Sequence, residues 1–161
     1  MAEPQPYPLI ERIARAIATA LATITAANGY RTTVSEVLRP RRTGERVTPK
    51  ANMILLLQAG IGPEEELDAA GNPGLIGRVA SFSADCVIAL SESDARPMDE
   101  ILNIFAADVE QCLMADPTWG GLAIDTLVSG LDYPEAGSGV AGVTVLFDVS
   151  YRTDRDDPYS P

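Results

Sequence analysis

The chain has 161 residues, 46% of them hydrophobic and 22% charged, the size and composition of one domain with a single core. Twelve Lys and Arg against 23 Asp and Glu leave a net charge of -11, which opposes non-specific binding to phosphate backbones and argues against a free-standing nucleic-acid binder. Histidine is absent, so the commonest general base, triad partner and metal ligand are removed together and the expectation of an enzyme falls.

Apolar runs such as Met53 to Leu57 are far too short to span a bilayer, and no membrane association is expected. The opening Met-Ala-Glu-Pro-Gln-Pro-Tyr-Pro has no basic segment leading into an apolar one, which points to synthesis in the cytoplasm. Cys86 and Cys112 fall within a strand pattern and a helix pattern and read as buried thiols, not as a disulfide.

In chain order, residues 1–7 read as a flexible proline-rich arm. Ile10, Ile13, Ile17, Leu21 and Ile24 then recur at helical spacing, with Pro8 suited to the first turn and Asn28-Gly29 to a left-handed stop. Tyr30 to Leu38 and Asn52 to Ala59 are rich in β-branched or apolar residues and predict two strands, the second buried on both faces. Between them lies a loop with five basic residues, Arg39, Arg41, Arg42, Arg46 and Lys50. It reads either as an electrostatic contact with an acidic neighbour or with passing DNA, or as a solvated connector.

Residues 60–75 predict a second loop, acidic at Glu64, Glu65, Glu66 and Asp68. Two loops of opposite charge suggest complementary edges, which in a ring of identical subunits would meet head to tail. The same acids are equally well ordinary loop carboxylates. Gly77 to Ser91 alternates Ala80, Phe82, Ala84, Cys86, Ile88 and Leu90 with a mixed set, predicting a long strand with one apolar face.

Pro97, with Asp99 and Glu100 in the first turn, opens a second helix whose stripe is Met98, Leu102, Phe105, Val109 and Cys112 and whose end is Asp116-Pro117. Leu122 to Leu131 predicts a strand with Leu122, Ile124 and Val128 on one side. A glycine-rich reversal, Tyr133 to Gly139, returns the chain into Val143, Val145, Phe147, Val149 and Tyr151, alternating with Thr144, Leu146, Asp148, Ser150 and Arg152. This is the cleanest period of two in the chain and the expected centre of an antiparallel sheet. Residues 154–161 read as a flexible acidic tail. The expected fold is α+β: one domain, a two-layer sandwich in which a mostly antiparallel sheet is covered by two helices, in the order α-β-β-β-α-β-β.

No dinucleotide fingerprint, phosphate loop, nucleophile elbow or paired-cysteine motif occurs. The carboxylates of Gly62-Pro-Glu-Glu-Glu66 and Asp154-Arg-Asp-Asp157 lack the spacing of a calcium loop, so neither metal nor cofactor is expected.

The element order, the helix from Met98 to Ala115 ending before Asp-Pro, and the final strand Val-Leu-Phe-Asp-Val-Ser-Tyr-Arg-Thr-Asp followed by Asp-Asp-Pro-Tyr resemble the tail terminator or tail completion proteins of long-tailed bacteriophages, a family of minor tail proteins. The resemblance covers nearly the whole chain through loose patterns, and it carries over no residue-by-residue functional motif. It implies a structural virion protein of the tail neck, assembled in the host cytoplasm as a homo-oligomeric, typically hexameric, ring on the head-proximal end of the tail tube. Its partners would be further copies of itself, the tail tube protein and the head-tail connector, with DNA passing through the lumen without specific binding. The basic and acidic loops would then be rim and neighbour contacts. The alternatives are the head-tail connector or tube subunit itself and, outside structural roles, a small acidic ligand-binding domain or carboxylate enzyme.

Overall fold

The computed structural model describes residues 6–40, 48, 52–68, 74–89, 95–135 and 140–161. The elements are α1 (Leu9–Leu21), β1 (Glu36–Leu38), β2 (Met53–Pro63), β3 (Leu75–Ala89), α2 (Met98–Ala115), β4 (Asp125–Asp132) and β5 (Val140–Asp154), with short 3-10 turns at Ala26–Asn28 and Glu65–Leu67. The order is α-β-β-β-α-β-β, and the fold is an α+β sandwich of two helices on one five-stranded sheet. The strands lie in the order β1-β2-β3-β5-β4; β1 joins β2 in parallel and every other pairing is antiparallel.

α1 buries Leu9, Ile13, Ala14, Ile17 and Leu21, the four-residue spacing that places side chains on one stripe. It stops at Leu21, before the expected Asn28-Gly29. The Thr23 hydroxyl donates to the Ala20 carbonyl at 2.7 Å, and the Asn28 amide donates to the Thr23 carbonyl at 2.7 Å. Side chains of this kind compete with the next helical turn for the same backbone groups. Gly29, at φ 89°, closes the following 3-10 turn, and Ile24 still reaches the core.

β1 is much shorter than the Tyr30–Leu38 expected, because the backbone donors before it are committed elsewhere. The N–H groups of Arg31 and Thr32 donate to the buried Asp108 carboxylate on α2 at 3.0 and 2.6 Å. Val34 N–H goes to the Ile24 carbonyl and Ser35 N–H to that of Asn52. β2, in turn, runs past the expected Ala59 end to Pro63 through a bulge between Gln58 and Gly60. Only its first part is buried, at Met53, Ile54 and Leu56; the strand is exposed from Leu57 to Ile61.

β3 is the middle strand, and β5 lies beside it along an unbroken ladder from Leu75 opposite Asp154 to Ala89 opposite Val140. The alternation expected in both strands is present: Ala80, Phe82, Ala84, Cys86 and Ile88 face the helices, as do Ala141, Val143, Val145, Phe147, Val149 and Tyr151. Leu90 lies outside the described residues. Phe82 sits opposite Phe147 with ring centroids 5.5 Å apart and planes 12° from parallel. α2 packs on β5 and β4 through Leu102, Phe105, Val109, Cys112 and Leu113, and α1 packs beside it. Each large side chain buried in this layer contributes about 1.5–3 kcal/mol. Met98, expected on the stripe, stays 41% exposed at the first residue of α2.

The link from α2 to β4 is a compact turn. The Asp116 carboxylate accepts from Thr118 N–H, the Thr118 hydroxyl and Gly120 N–H, with the Thr118 hydroxyl and the Gly120 N–H the leading causes that hold its pKa below the usual carboxylate value. Trp119, in a left-handed conformation at φ 53°, turns its ring into the core. Its Nε1–H donates to the Thr126 hydroxyl, which donates on to the Pro117 carbonyl, both at 2.8 Å. The expected apolar side of β4 is corrected accordingly: Thr126 is the buried residue, Val128 is half-buried, and Ile124 precedes the strand and is exposed. The tail expected to be flexible folds back, with the Pro158 carbonyl accepting Leu9 N–H at the otherwise uncapped start of α1 and Arg155 N–H donating to Gly74.

Candidate functional site

Of the basic residues singled out, Arg39 is engaged within the chain. Its guanidinium donates through both terminal nitrogens to the two oxygens of Glu11 on α1, each at 2.9 Å, and Glu11 also accepts from Arg15 at 2.9 Å. The Arg39 hydrogen bond is the main cause that lowers the Glu11 pKa, with partial burial working against it. Arg15 also lies 3.8 Å over the Tyr7 ring. Arg41, Arg42, Arg46 and Lys50 lie outside the described residues.

The acidic residues form the turn after β2. Glu65 and Glu66 are exposed, while the Asp68 carboxylate accepts Gly77 N–H at 2.7 Å and Glu64 N–H donates to the Gly77 carbonyl. Arg152 Nε donates to the Leu67 carbonyl, fastening the turn to β5 as well. The approach is so close that a Cβ on residue 77 would run into the Glu64 carbonyl and Leu67 Cβ, so only glycine fits there. Asp68 therefore holds the turn in place, and Glu65 and Glu66 are its outward carboxylates. Among the described residues no ion pair joins Arg39 to this turn.

A shallow cleft of about 220 Å³ lies beside the turn, lined by Pro63, Glu65, Asp68, Ile76, Gly77 and Arg78. It is below the usual size of a small-molecule site. The described residues contain no group of three metal-ligating side chains. Cys86 and Cys112 are free and buried, and burial pushes both thiols up, so neither is a ready nucleophile.

The surface that sequence reading did not single out is the sheet's other face. On it, Leu57 of β2, Ser83 of β3, Leu146 of β5 and Gly130 of β4 stand in one row across four strands. Leu57 and Leu146 are 37% and 39% exposed, and Leu127, in the next row beside Asp148, is 65% exposed. The acids among them are paired with hydroxyls: Ser81 donates to Asp148 at 2.6 Å and Thr144 to Asp85 at 3.0 Å. Exposed leucines set among carboxylates hydrogen-bonded to neighbouring hydroxyls make an apolar patch on this face. The one hint in the sequence is Leu146 and Leu127 standing where the alternation calls for polar residues. No helix among the described residues is long and apolar enough to cross a membrane. The chain matches no protein-family model and no curated protein.

Proposed function

We propose that this chain is a structural subunit of a long-tailed phage virion. It would form a ring on the head-proximal end of the tail tube, end tube polymerisation and offer the surface on which the head is joined. The observation that carries the reading is the sheet: one face holds a filled core, while the other and both edges present apolar side chains with nothing described to cover them. A subunit that works by contact needs such surfaces, and a rigid platform behind them keeps their geometry. The particular place in the virion comes from the resemblance of α2 and β5 to the tail terminator family. The charge of -11 suits a passage for DNA, since an acidic wall repels the phosphate backbone.

Phage particles assembled without this chain provide the test. Electron micrographs showing tails of overlong, unregulated length support the reading. Absent tubes indicate a tube subunit instead, and tails of normal length beside unjoined heads indicate a connector; either result overturns the terminator role.

A further inference from the structure

Among the described residues, neither outer edge of the sheet is paired along its full length with another strand. β4 has β5 on one side and no described strand on the other. At the opposite edge β1 covers β2 only from Met53 to Leu55, so no described strand pairs with the outer side of the stretch from Leu57 to Pro63. Sheet edges are ordinarily blunted by lysine, by proline within the strand, by inward charges or by bulges, and of these β4 and β2 each carry a bulge, at Val128/Gly130 and Gln58/Gly60. β4, Asp-Thr-Leu-Val-Ser-Gly-Leu-Asp, has neither lysine nor proline, and β2 is uncharged throughout with proline only at its last residue.

We infer that β4 of one copy pairs with the distal half of β2 of the next, so that the sheet continues from subunit to subunit. The inference rests on the ring reading above and adds the surfaces that close the ring. Strand direction supports it. β3 is antiparallel to β2, β5 to β3 and β4 to β5, so β4 runs opposite to β2 within one chain. A copy that carries the sheet onward, with the same face outward, brings its β2 antiparallel to this β4, the stronger of the two ladder types.

Side chains fit the same junction. Leu127, the most exposed large apolar side chain among the described residues, stands on the open face. Past the β2 bulge, the residues on that face are Gly60 and Gly62, opposite Ser81 and Val79, and a Cβ built on either would meet nothing within 4 Å. Residues opposite each other in a ladder share a face, so the neighbour's Leu127 lands over one of these glycines and covers bare backbone. Ile61, 44% exposed on the helix side, then meets the neighbour's Thr126 or Val128. Self-pairing of β4 about a two-fold axis is disfavoured, because in register it sets Asp125 against Asp132 at both ends, and like charges directly opposite destabilise a pair. A β4–β2 contact is not self-complementary, so it runs head to tail and gives a ring where its rotation closes.

Variants with one added cysteine test it in the full-length protein, because the two native thiols are buried. Leu127→Cys mixed with Gly60→Cys or Gly62→Cys under mild oxidation is expected to give a mixed covalent dimer, while Leu127→Cys alone gives none. In parallel, Leu127→Lys is expected to keep the monomer's thermal midpoint and to lower the assembled fraction at least about tenfold, by sedimentation velocity and by binding to tail tubes. Wild-type assembly without the mixed cross-link, a Leu127 homodimer, or unchanged assembly of Leu127→Lys overturns the edge contact and leaves the ring reading standing. No wild-type assembly, alone or on tail tubes, overturns both.

Discussion

The two faces of the β3–β5 ladder carry side chains from the same two strands, yet they do different work. Toward the helices stand Phe82, Cys86, Val145, Phe147 and Tyr151, all at most 2% exposed. Toward the outside stand Ser81, Asp85, Thr144, Leu146 and Asp148, half-buried to exposed, with the acids held by neighbouring hydroxyls. The covered face spends its apolar area on stability. The open face keeps Leu57, Leu127 and Leu146 accessible while its polar pairs remain satisfied, the apolar area that the proposed contact would use. The same division separates the middle of the sheet from its edges.

The contrast is sharpest in its core. Phe147→Ala should cost about 3–5 kcal/mol in denaturant unfolding, since it empties a stacked aromatic site between sheet and helix. Phe147→Asp should prevent folding outright, as an unpaired charge would be buried among apolar groups. Next comes the anchor between the α1–β1 segment and α2. Asp108→Ala strands the N–H groups of Arg31 and Thr32 and should cost about 1.5–3 kcal/mol, with faster amide exchange at those two residues as its particular signature.

A smaller effect belongs to Glu11. Its pKa is lowered in the fold, so its contribution is whole above the ordinary carboxylate value and is lost as pH falls through the lowered one. Because the Arg39 and Arg15 side chains are 36% and 53% exposed, solvent screening keeps that contribution under about 1 kcal/mol. Glu11→Gln should therefore lower stability slightly at neutral pH, by under about 1 kcal/mol, and match the wild type once pH has fallen below the lowered value, which flattens the acid limb of a stability-against-pH curve. The smallest effect is predicted on the open face. Leu146→Ser should shift unfolding by no more than about 0.5 kcal/mol. A loss comparable to that of Phe147→Ala would mean that the open face is part of the folding core, and the comparison would fail.

Legibility in the sequence followed the same line. α1, α2, β3 and β5 could be read because each has a buried face long enough for its period to show. The short β1 could not, because the Tyr30–Ser35 backbone is claimed by Asp108, Ile24 and Asn52 from elsewhere in the chain or in space. β4 was misread for a related reason: Thr126 is buried as the partner of Trp119, a role that polarity alone assigns to the surface. The charged loops drew attention because charge is visible residue by residue. Arg39 is bound to Glu11 and Asp68 to the Gly77 backbone, while the candidate contact residues Leu57, Leu127 and Leu146 come from three separate strands.

By itself the sequence determined the fold class, the element order, the two helical stripes and the inward face of the two long strands, because periodicity is a local property of the chain. Only the tertiary structure decided the strand order, and with it which strands became edges. That order depends on pairing between residues far apart in the chain, and no local pattern records it. The same pairing set Leu57 in one row with Leu146, and Leu127 in the row beside them, turning scattered leucines into one surface.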